Sequence, residues 1–194
     1  IVFVNEERRN LSKKIERCPA MLYTFSEVKQ MTSSQYRKLS APFRKNKNSV
    51  LGFNLLNTVL TVIVYIAYPS LLAYLAFSDR TKLFRCVLIP AGMLLFVSGL
   101  RRVINRPRPY ETLNIRPLIN KDKKGQSMPS RHIFSVFMIA MTFLYVKPVL
   151  SIPLFIIGVL LCAVRVIGGV HYLSDVLVGA GIGLLSGLLG YFVF

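Results

Sequence analysis

The longest uncharged stretch of this sequence restricts its fold more than any other feature. Residues 51–77 contain no charged side chain. A helix of that length reaches roughly 40 Å, at about 1.5 Å of rise per residue, and a bilayer core requires roughly 20 apolar residues per span. Soluble domains carry about 25% charged residues, whereas this chain carries 17%. The sequence therefore predicts an integral membrane protein and argues against a water-soluble globule or a disordered chain.

Four further apolar runs follow the first one. They cover about residues 84–104, 129–147, 149–167 and 173–194. Together the runs predict an all-α, integral membrane helical bundle with about five transmembrane helices. Gly179, Gly183 and Gly187 recur at every fourth position of the last run, and such small residues let another helix approach closely. We expect this glycine seam to pack inside the bundle, with dimerisation as the alternative.

The amino-terminal 50 residues are polar and basic. Apolar residues recur there at helical spacing, at Met21, Leu22, Phe25, Val28 and Met31. This spacing is typical of an amphipathic helix that lies among lipid headgroups, with a solvated tail as the alternative. We therefore predict a basic amphipathic interfacial segment, 1–50, followed by a membrane-embedded domain, 51–194.

The net charge of +17 identifies the expected partners. In a soluble protein such a charge suggests nucleic acid. Here the basic residues lie between apolar runs, where they face anionic membrane lipids, so we expect membrane lipids and no nucleic acid. Cys18, Cys86 and Cys162 are odd in number and far apart, which predicts neither a disulfide framework nor a metal site.

Three polar clusters lie at the ends of the predicted spans, at residues 101–109, 127–132 and 165–175. In the third cluster His171 and Asp175 are four residues apart, so they share one face of a helix. The carboxylate can accept a hydrogen bond from one ring nitrogen and leave the other as a nucleophile or base. An acid beside hydrocarbon is costly and marks a functional site by default. The alternative is a structural hydrogen-bonded pair at the membrane interface.

The arginines of these clusters suggest an anionic ligand. Guanidinium groups match phosphate oxygens in a planar, bidentate geometry, which makes Arg101, Arg108 and Arg165 candidate phosphate ligands. The alternative is that they extend to lipid headgroups at the ends of the spans. We prefer this alternative for Arg102 and Arg106.

The second cluster begins a helix. Pro129 suits the first helical turn, and Ser127 or Ser130 can cap it. The free backbone N–H groups of such a helix start bind phosphate well. His132 lies within one turn of this start, which makes it a candidate general acid.

Together, the three clusters resemble the signature of the type 2 phosphatidic-acid phosphatase superfamily, which also contains the vanadium haloperoxidases. That family carries Lys-x6-Arg-Pro, Pro-Ser-Gly-His and Ser-Arg-x5-His-x3-Asp in this order. The corresponding residues here are Arg101-x6-Arg108-Pro109, Pro129-Ser130-Arg131-His132 and Val164-Arg165-x5-His171-x3-Asp175. The resemblance covers about residues 85–194, and three motifs in order at helix ends make it specific.

The resemblance implies a membrane phosphatase that hydrolyses a lipid phosphate monoester or pyrophosphate with no metal or other cofactor. His171 would accept the phosphoryl group, Asp175 would orient it, and His132 would protonate the leaving alcohol. The phosphate would be held by Arg101, Arg108, Ser130 and Arg165, with Arg131 as an added contact. The alternatives are a lipid phosphotransferase on the same fold and a non-catalytic lipid-binding membrane protein.

Three departures from the family pattern concern the site. Arg101 stands in place of Lys, Arg131 in place of Gly, and Val164 in place of Ser. The first keeps the charge, the second adds a cation to the rim of the site, and the third removes a hydroxyl group. Substrate fit is therefore where we expect this chain to differ from the family.

The number of spans predicts which loops share a side of the membrane. Two spans separate residues 1–50 from the loop after Arg108, and two more separate that loop from His171. All three regions then lie on one side, which also carries most of the 25 basic residues. The positive-inside rule assigns that side to the cytoplasm. The resemblance implies the outer face of the cell membrane, which we favour slightly.

Overall fold

The computed structural model describes residues 31–119, 121 and 123–193, which form a helical bundle. Its α-helices are α1 (Ser33–Ser40), α2 (Lys47–Ser78), α3 (Arg80–Ile104), α4 (Pro109–Thr112), α5 (Arg131–Val146), α6 (Pro148–Ile167) and α7 (Leu173–Leu188). A 3₁₀ turn, Ala41–Arg44, lies between α1 and α2, and a π-helical turn, Leu189–Val193, extends α7. No β-strand occurs in the described residues. The predicted all-α class is confirmed.

Four helical stretches are long and apolar enough to cross a membrane. They are Lys47–Ser78, Arg80–Thr112, Pro148–Ile167 and Leu173–Val193. The remaining predicted span is α5, whose 16 residues are fewer than the roughly 20 that a bilayer core requires. Helices α2, α3, α6 and α7 all pack against α5, and most of its side chains are buried. The predicted membrane bundle is confirmed, but its five helices comprise four long ones around a shorter central one.

The outer surface of α2 shows how the bundle meets the membrane. One stripe of this helix is buried, at Phe53, Leu60, Val64, Leu71 and Leu75. Its other faces expose large apolar side chains, among them Leu55, Val59, Ile63, Ile66 and Tyr74. An apolar surface this large is stable against acyl chains rather than against water.

The glycine seam of α7 packs directly against the backbone of α5. A Cβ added at Gly179 would lie 2.7 Å from the carbonyl oxygen of Ser130, and one added at Gly183 would lie 2.8 Å from that of Phe134. Gly181 has nothing within 4 Å of the corresponding position. The seam therefore packs inside the bundle, as the sequence favours, and it sets the distance between the starts of α5 and α7.

The segments that carry the predicted site meet at one end of the bundle. The N–H of Leu118 donates to the carbonyl oxygen of Gly168 at 3.0 Å, and the N–H of Ser130 donates to that of Asp175 at 2.9 Å. The hydroxyl of Tyr36 donates to the carbonyl oxygen of Arg116 at 3.5 Å. The segment before α2, the loop before α5 and the loop before α7 thus lie on one side, as predicted. Most of the predicted interfacial helix, from Met21 to Val28, lies outside the described residues.

Candidate active site

His171 and Asp175 lie together at the start of α7. Nδ1 of His171 is 3.6 Å from Oδ2 of Asp175, and the two side chains are 2% and 0% exposed. A carboxylate facing Nδ1 favours the tautomer with the proton on that nitrogen, which leaves the lone pair on Nε2. Burial lowers the pKa of His171 to about 4, although Asp175 acts in the opposite direction. His171 is therefore neutral at pH 7.

Three donors hold the carboxylate of Asp175. The backbone N–H of Tyr172 donates to Oδ2 at 2.9 Å, and Nη1 of Arg106 donates to Oδ1 at 2.7 Å. The third donor is the hydroxyl of Ser127, which also lies 3.4 Å from Nδ1 of His171. Ser127 therefore belongs to the histidine–carboxylate pair, and it does not cap α5 as the sequence suggested.

Arg106 corrects another prediction from the sequence. Instead of extending to lipid headgroups, it forms a largely buried ion pair with Asp175, donates to the hydroxyl of Ser174 at 2.8 Å and lies 4.4 Å from the ring centre of Tyr172. The chain turns at Asn105, where α3 ends in a left-handed conformation with φ 40°, and Arg106 follows this turn. Arg102, the other arginine assigned to the headgroups, is exposed.

Arg101, Arg108 and Arg165 are all buried at this end of the bundle. Arg101 donates to the carbonyl oxygens of Pro129 and Gln126. Arg108 donates to those of Gly125 and Val170, at 3.1 and 3.3 Å. Nε of Arg165 is buried without a hydrogen-bond partner among the described residues.

These three arginines lack carboxylate partners within the part of the chain that the structure describes. Asp175 pairs with Arg106 there, and Glu111 accepts the backbone N–H groups of Arg108 and Gly125 instead of a guanidinium. Burying a cation without an opposite charge is costly. An anion placed among the three guanidinium groups would remove that cost, so the arrangement fits a phosphate group.

The start of α5 contributes the second motif. Ser130 precedes the helix, and its buried hydroxyl has no partner among the described residues and caps no N–H group. His132 is half-buried, and its ring forms no hydrogen bond within the described part of the chain. The positive charges of Arg165 and Lys121 act on His132. Arg131 is exposed, at the rim of this group.

Lys121 is a cation of this group that the sequence analysis did not identify. Burial and the charges of Arg165, Arg108 and Arg101 lower the pKa of Lys121 to about 8. Lys121 stands with Lys123 and Lys124 in one loop and in none of the three motifs, so no local signal distinguishes it.

A small cavity extends from His132 toward the lipid-facing surface. It has a volume of about 20 Å³, and most of the residues that line it are apolar side chains of α2, α5 and α6. Tyr65, at its border, is 61% exposed on the surface of α2. Within the described residues, no group of three His, Cys, Asp or Glu side chains is close enough to hold a metal ion.

The fold and this site define a class of protein, a helical membrane bundle with a cluster of buried cations beside a carboxylate-held histidine. Residues 82–194 match the PAP2 superfamily. Because the match covers more than half of the chain, the chain belongs to the PAP2 superfamily, and the predicted resemblance is confirmed. It is a multi-pass membrane phosphatase of that superfamily.

Several solved structures resemble this chain. Aquifex aeolicus LpxE matches with a TM-score of 0.64 and 24% identity, over 82% of this chain and 93% of that chain. This likeness establishes the fold. The first transmembrane PAP2 type phosphatidylglycerolphosphate phosphatase from Bacillus subtilis matches with a TM-score of 0.37 and 25% identity, over 80% of this chain and 90% of that chain. No curated protein matches this chain.

Proposed function

We propose that this protein hydrolyses a lipid phosphate monoester or pyrophosphate through a phosphohistidine intermediate. One observation carries the proposal. Three buried guanidinium groups have no carboxylate partner among the described residues, and the charges of two of them, Arg101 and Arg108, reach a neutral histidine whose Nδ1 faces Asp175. A phosphate would remove the cost of burying these charges and would stand beside a nucleophile. Residues 51–194 would form the phosphatase domain, and residues 1–50 the interfacial segment.

The first step is binding of the phosphoryl group. Arg101, Arg108 and Arg165 neutralise the oxygens that carry charge in the transition state. The unpartnered hydroxyl of Ser130 and the free N–H groups at the start of α5 supply further donors. Arg131 adds a contact from the rim. These residues take the part that a metal ion plays in other phosphatases, so we propose that the reaction needs none.

The second step is transfer to His171. Nε2 attacks phosphorus, the bond from phosphorus to the leaving oxygen breaks, and His132 donates a proton to that oxygen. A water molecule then attacks the phosphohistidine, and His132 takes its proton. The phosphorus–nitrogen bond breaks and inorganic phosphate leaves.

The cavity beside His132 supports a lipid substrate. The leaving oxygen must stand near His132, so the rest of the substrate extends from that point. The cavity leads from His132 between apolar side chains toward lipid-exposed Tyr65. The cavity itself has room for about one water molecule, so an acyl or polyprenyl tail that enters sideways from the bilayer would lie along this apolar side of the bundle rather than inside the cavity.

Phosphate release from a panel of lipid phosphates tests the proposal. Purified protein in detergent is given phosphatidic acid, phosphatidylglycerol phosphate and undecaprenyl pyrophosphate, with exposed Arg102→Gln as the matched control. We expect release from at least one lipid, little change with a chelator, and a labelled, acid-labile phosphohistidine on rapid quenching. Transfer to an added alcohol in preference to water would indicate a phosphotransferase, and binding without release would indicate a non-catalytic lipid-binding protein. Activity lost with a chelator and restored by a divalent ion would contradict the metal-free reaction.

We also propose that the active site lies on the outer face of the cell membrane. A single cysteine at Lys124, with the three native cysteines replaced, reports on the loop beside the site. We expect a membrane-impermeant thiol reagent to label it in intact cells. Labelling only after the cells are opened would assign the site to the cytoplasm, as the charge distribution suggests.

A further inference from the structure

A cationic pocket lies beside α1, apart from the residues assigned to the reaction. It has a volume of about 440 Å³ and is lined by Tyr36, Arg37, Arg44, Asn114, Ile115 and Arg116. None of these residues belongs to the three motifs. We propose that this pocket binds the phosphate group in the headgroup of an anionic membrane lipid.

Arg44 is held in place as one wall of the pocket. Its Nε donates to the hydroxyl of Ser40 at 3.0 Å, and its Nη2 donates to the hydroxyl of Tyr36 at 3.2 Å and to the carbonyl oxygen of Arg116. These partners are all neutral, so they orient the guanidinium without cancelling its charge. A guanidinium oriented in advance loses little conformational freedom when it binds an anion.

Arg37 and Arg116 supply the other two positive charges. Both side chains are exposed, and among the described residues neither guanidinium forms an ion pair. No described acidic residue lines the pocket. Three like charges around one concave surface repel each other, and a phosphate can accept hydrogen bonds from several guanidinium groups at once. The pocket therefore fits a phosphate better than it fits a neutral ligand.

The position of the pocket favours a lipid headgroup. Arg44 lies three residues before Lys47, where α2 begins, and α2 is long and apolar enough to cross the membrane. The pocket thus lies near the level at which headgroup phosphates occur, where each basic side chain attracts anionic lipid by about 1 kcal/mol.

The same pocket touches the loop that carries His171. Tyr36 is 1% exposed, and a Cβ added at Gly169 would lie 2.5 Å from its hydroxyl oxygen. Gly169 has φ +73°, a conformation that favours glycine. A phosphate bound by the arginines around Tyr36 would therefore hold α1 against this loop.

Binding of dioctanoyl phosphatidylglycerol to the purified full chain tests the proposal. Native mass spectrometry in a non-ionic detergent would count bound lipids and give a dissociation constant. We expect the double variant Arg37→Gln/Arg116→Gln to weaken the arginine-dependent binding at least about tenfold, because two charge-assisted contacts are lost. The matched control, Arg80→Gln/Arg102→Gln, removes the same charge elsewhere and should change it less than about twofold.

A parallel titration with inorganic phosphate distinguishes a lipid headgroup from free phosphate as the ligand. Binding of the lipid but not of free phosphate supports a headgroup site. If the pocket variant loses affinity equally for the lipid and for free phosphate, the pocket is a site for phosphate itself. Unchanged lipid binding in the pocket variant would overturn the proposal, as would an equal loss in the control. A thermal unfolding curve verifies that each variant is folded. No turnover is measured, so the result is independent of the reaction proposed above.

Discussion

The two histidines of the proposed active site occupy regions that differ in how firmly they hold their side chains. His171 is 2% exposed, and its Nδ1 faces a carboxylate that Arg106 and Ser127 hold in turn. His132 is half-buried at the start of α5, and its ring forms no hydrogen bond among the described residues.

This difference separates the two proposed roles. A nucleophile requires one fixed tautomer and a lone pair in a constant position, which a buried network provides. An acid–base group must meet the leaving oxygen and then water, which an unoccupied ring can do. Each prediction below tests whether the two regions are as different as their contacts indicate.

The largest effect should come from the firmly held histidine. We expect His171→Ala to lower turnover at least about 10³-fold on every substrate, because no covalent intermediate can form. Phosphate release measures this loss, with Arg102→Gln as the control. A variant that retained substantial turnover would show that His171 is not the nucleophile.

His132→Ala should act according to the leaving group. With a lipid alcohol we expect a loss of about 10²- to 10⁴-fold, because the leaving oxygen needs a proton. An activated aryl phosphate needs little protonation, so its hydrolysis should fall much less. Comparing the two substrates in the same preparation provides the measurement. Equal losses would remove the distinction between the histidines.

Arg106→Gln should leave the proposed phosphate ligands in place but weaken the positioning of Asp175, and through it the orientation of His171. The 2.7 Å ion pair to Asp175 is lost, and a charge-assisted hydrogen bond contributes about 1.5–3 kcal/mol, or roughly 10- to 100-fold in rate. We expect kcat to fall and KM to change little, with partial recovery in Arg106→Lys. The exposed Arg102→Gln is the matched control. A rise in KM alone would instead assign Arg106 to substrate binding.

The dependence of turnover on pH should show protonation of His171 on its acid side and deprotonation of His132 on its alkaline side. Because burial lowers the pKa of His171 to about 4, Nε2 stays available at neutral pH. Turnover should fall about tenfold per pH unit below that value, as the ring becomes protonated. An alkaline limb should follow in the substrate complex, where the negative charge of the bound phosphate offsets the charges of Arg165 and Lys121 and lets His132 hold the proton that it donates, which gives a bell-shaped profile. A rate that rises steadily from acid to alkaline pH would contradict this pairing.

The smallest effect should come from changing the close contact between α7 and the start of α5, which carry the regions around His171 and His132. A Cβ at Gly179 meets the backbone of Ser130 at 2.7 Å, whereas one at Gly181 meets nothing within 4 Å. We therefore expect Gly179→Ala to cost about 1–3 kcal/mol of stability through overpacking and to slow turnover several-fold, while Gly181→Ala is tolerated. Thermal unfolding and phosphate release measure the two effects. Equal behaviour of the two variants would mean that α5 can shift freely against α7.

The sequence by itself determined the class of fold and the position of the motifs along it. Apolar runs, prolines and helix starts are local features, and the observed helices follow them closely, from α2 at Lys47–Ser78 to α7 at Leu173–Leu188. The four-residue spacing of His171 and Asp175 predicted their contact, although His171 lies in the bend before α7 and not on the helix itself. The sequence predicted neither that α5 is shorter than the helical stretches around it nor that it lies at the centre of the bundle.

Only the tertiary structure decided which polar side chains turn inward. Arg102 and Arg106 are both basic residues at the end of one span, yet only Arg106 reaches Asp175, 69 residues later. Ser127 donates to the same carboxylate from 48 residues away, and Lys121 joins the arginines from a loop without a motif. Hydrophobic periodicity fixes how a helix faces the bilayer, because every turn repeats the signal. The direction of one side chain in a connecting loop depends on a single distant partner, which no repeating pattern along the chain records.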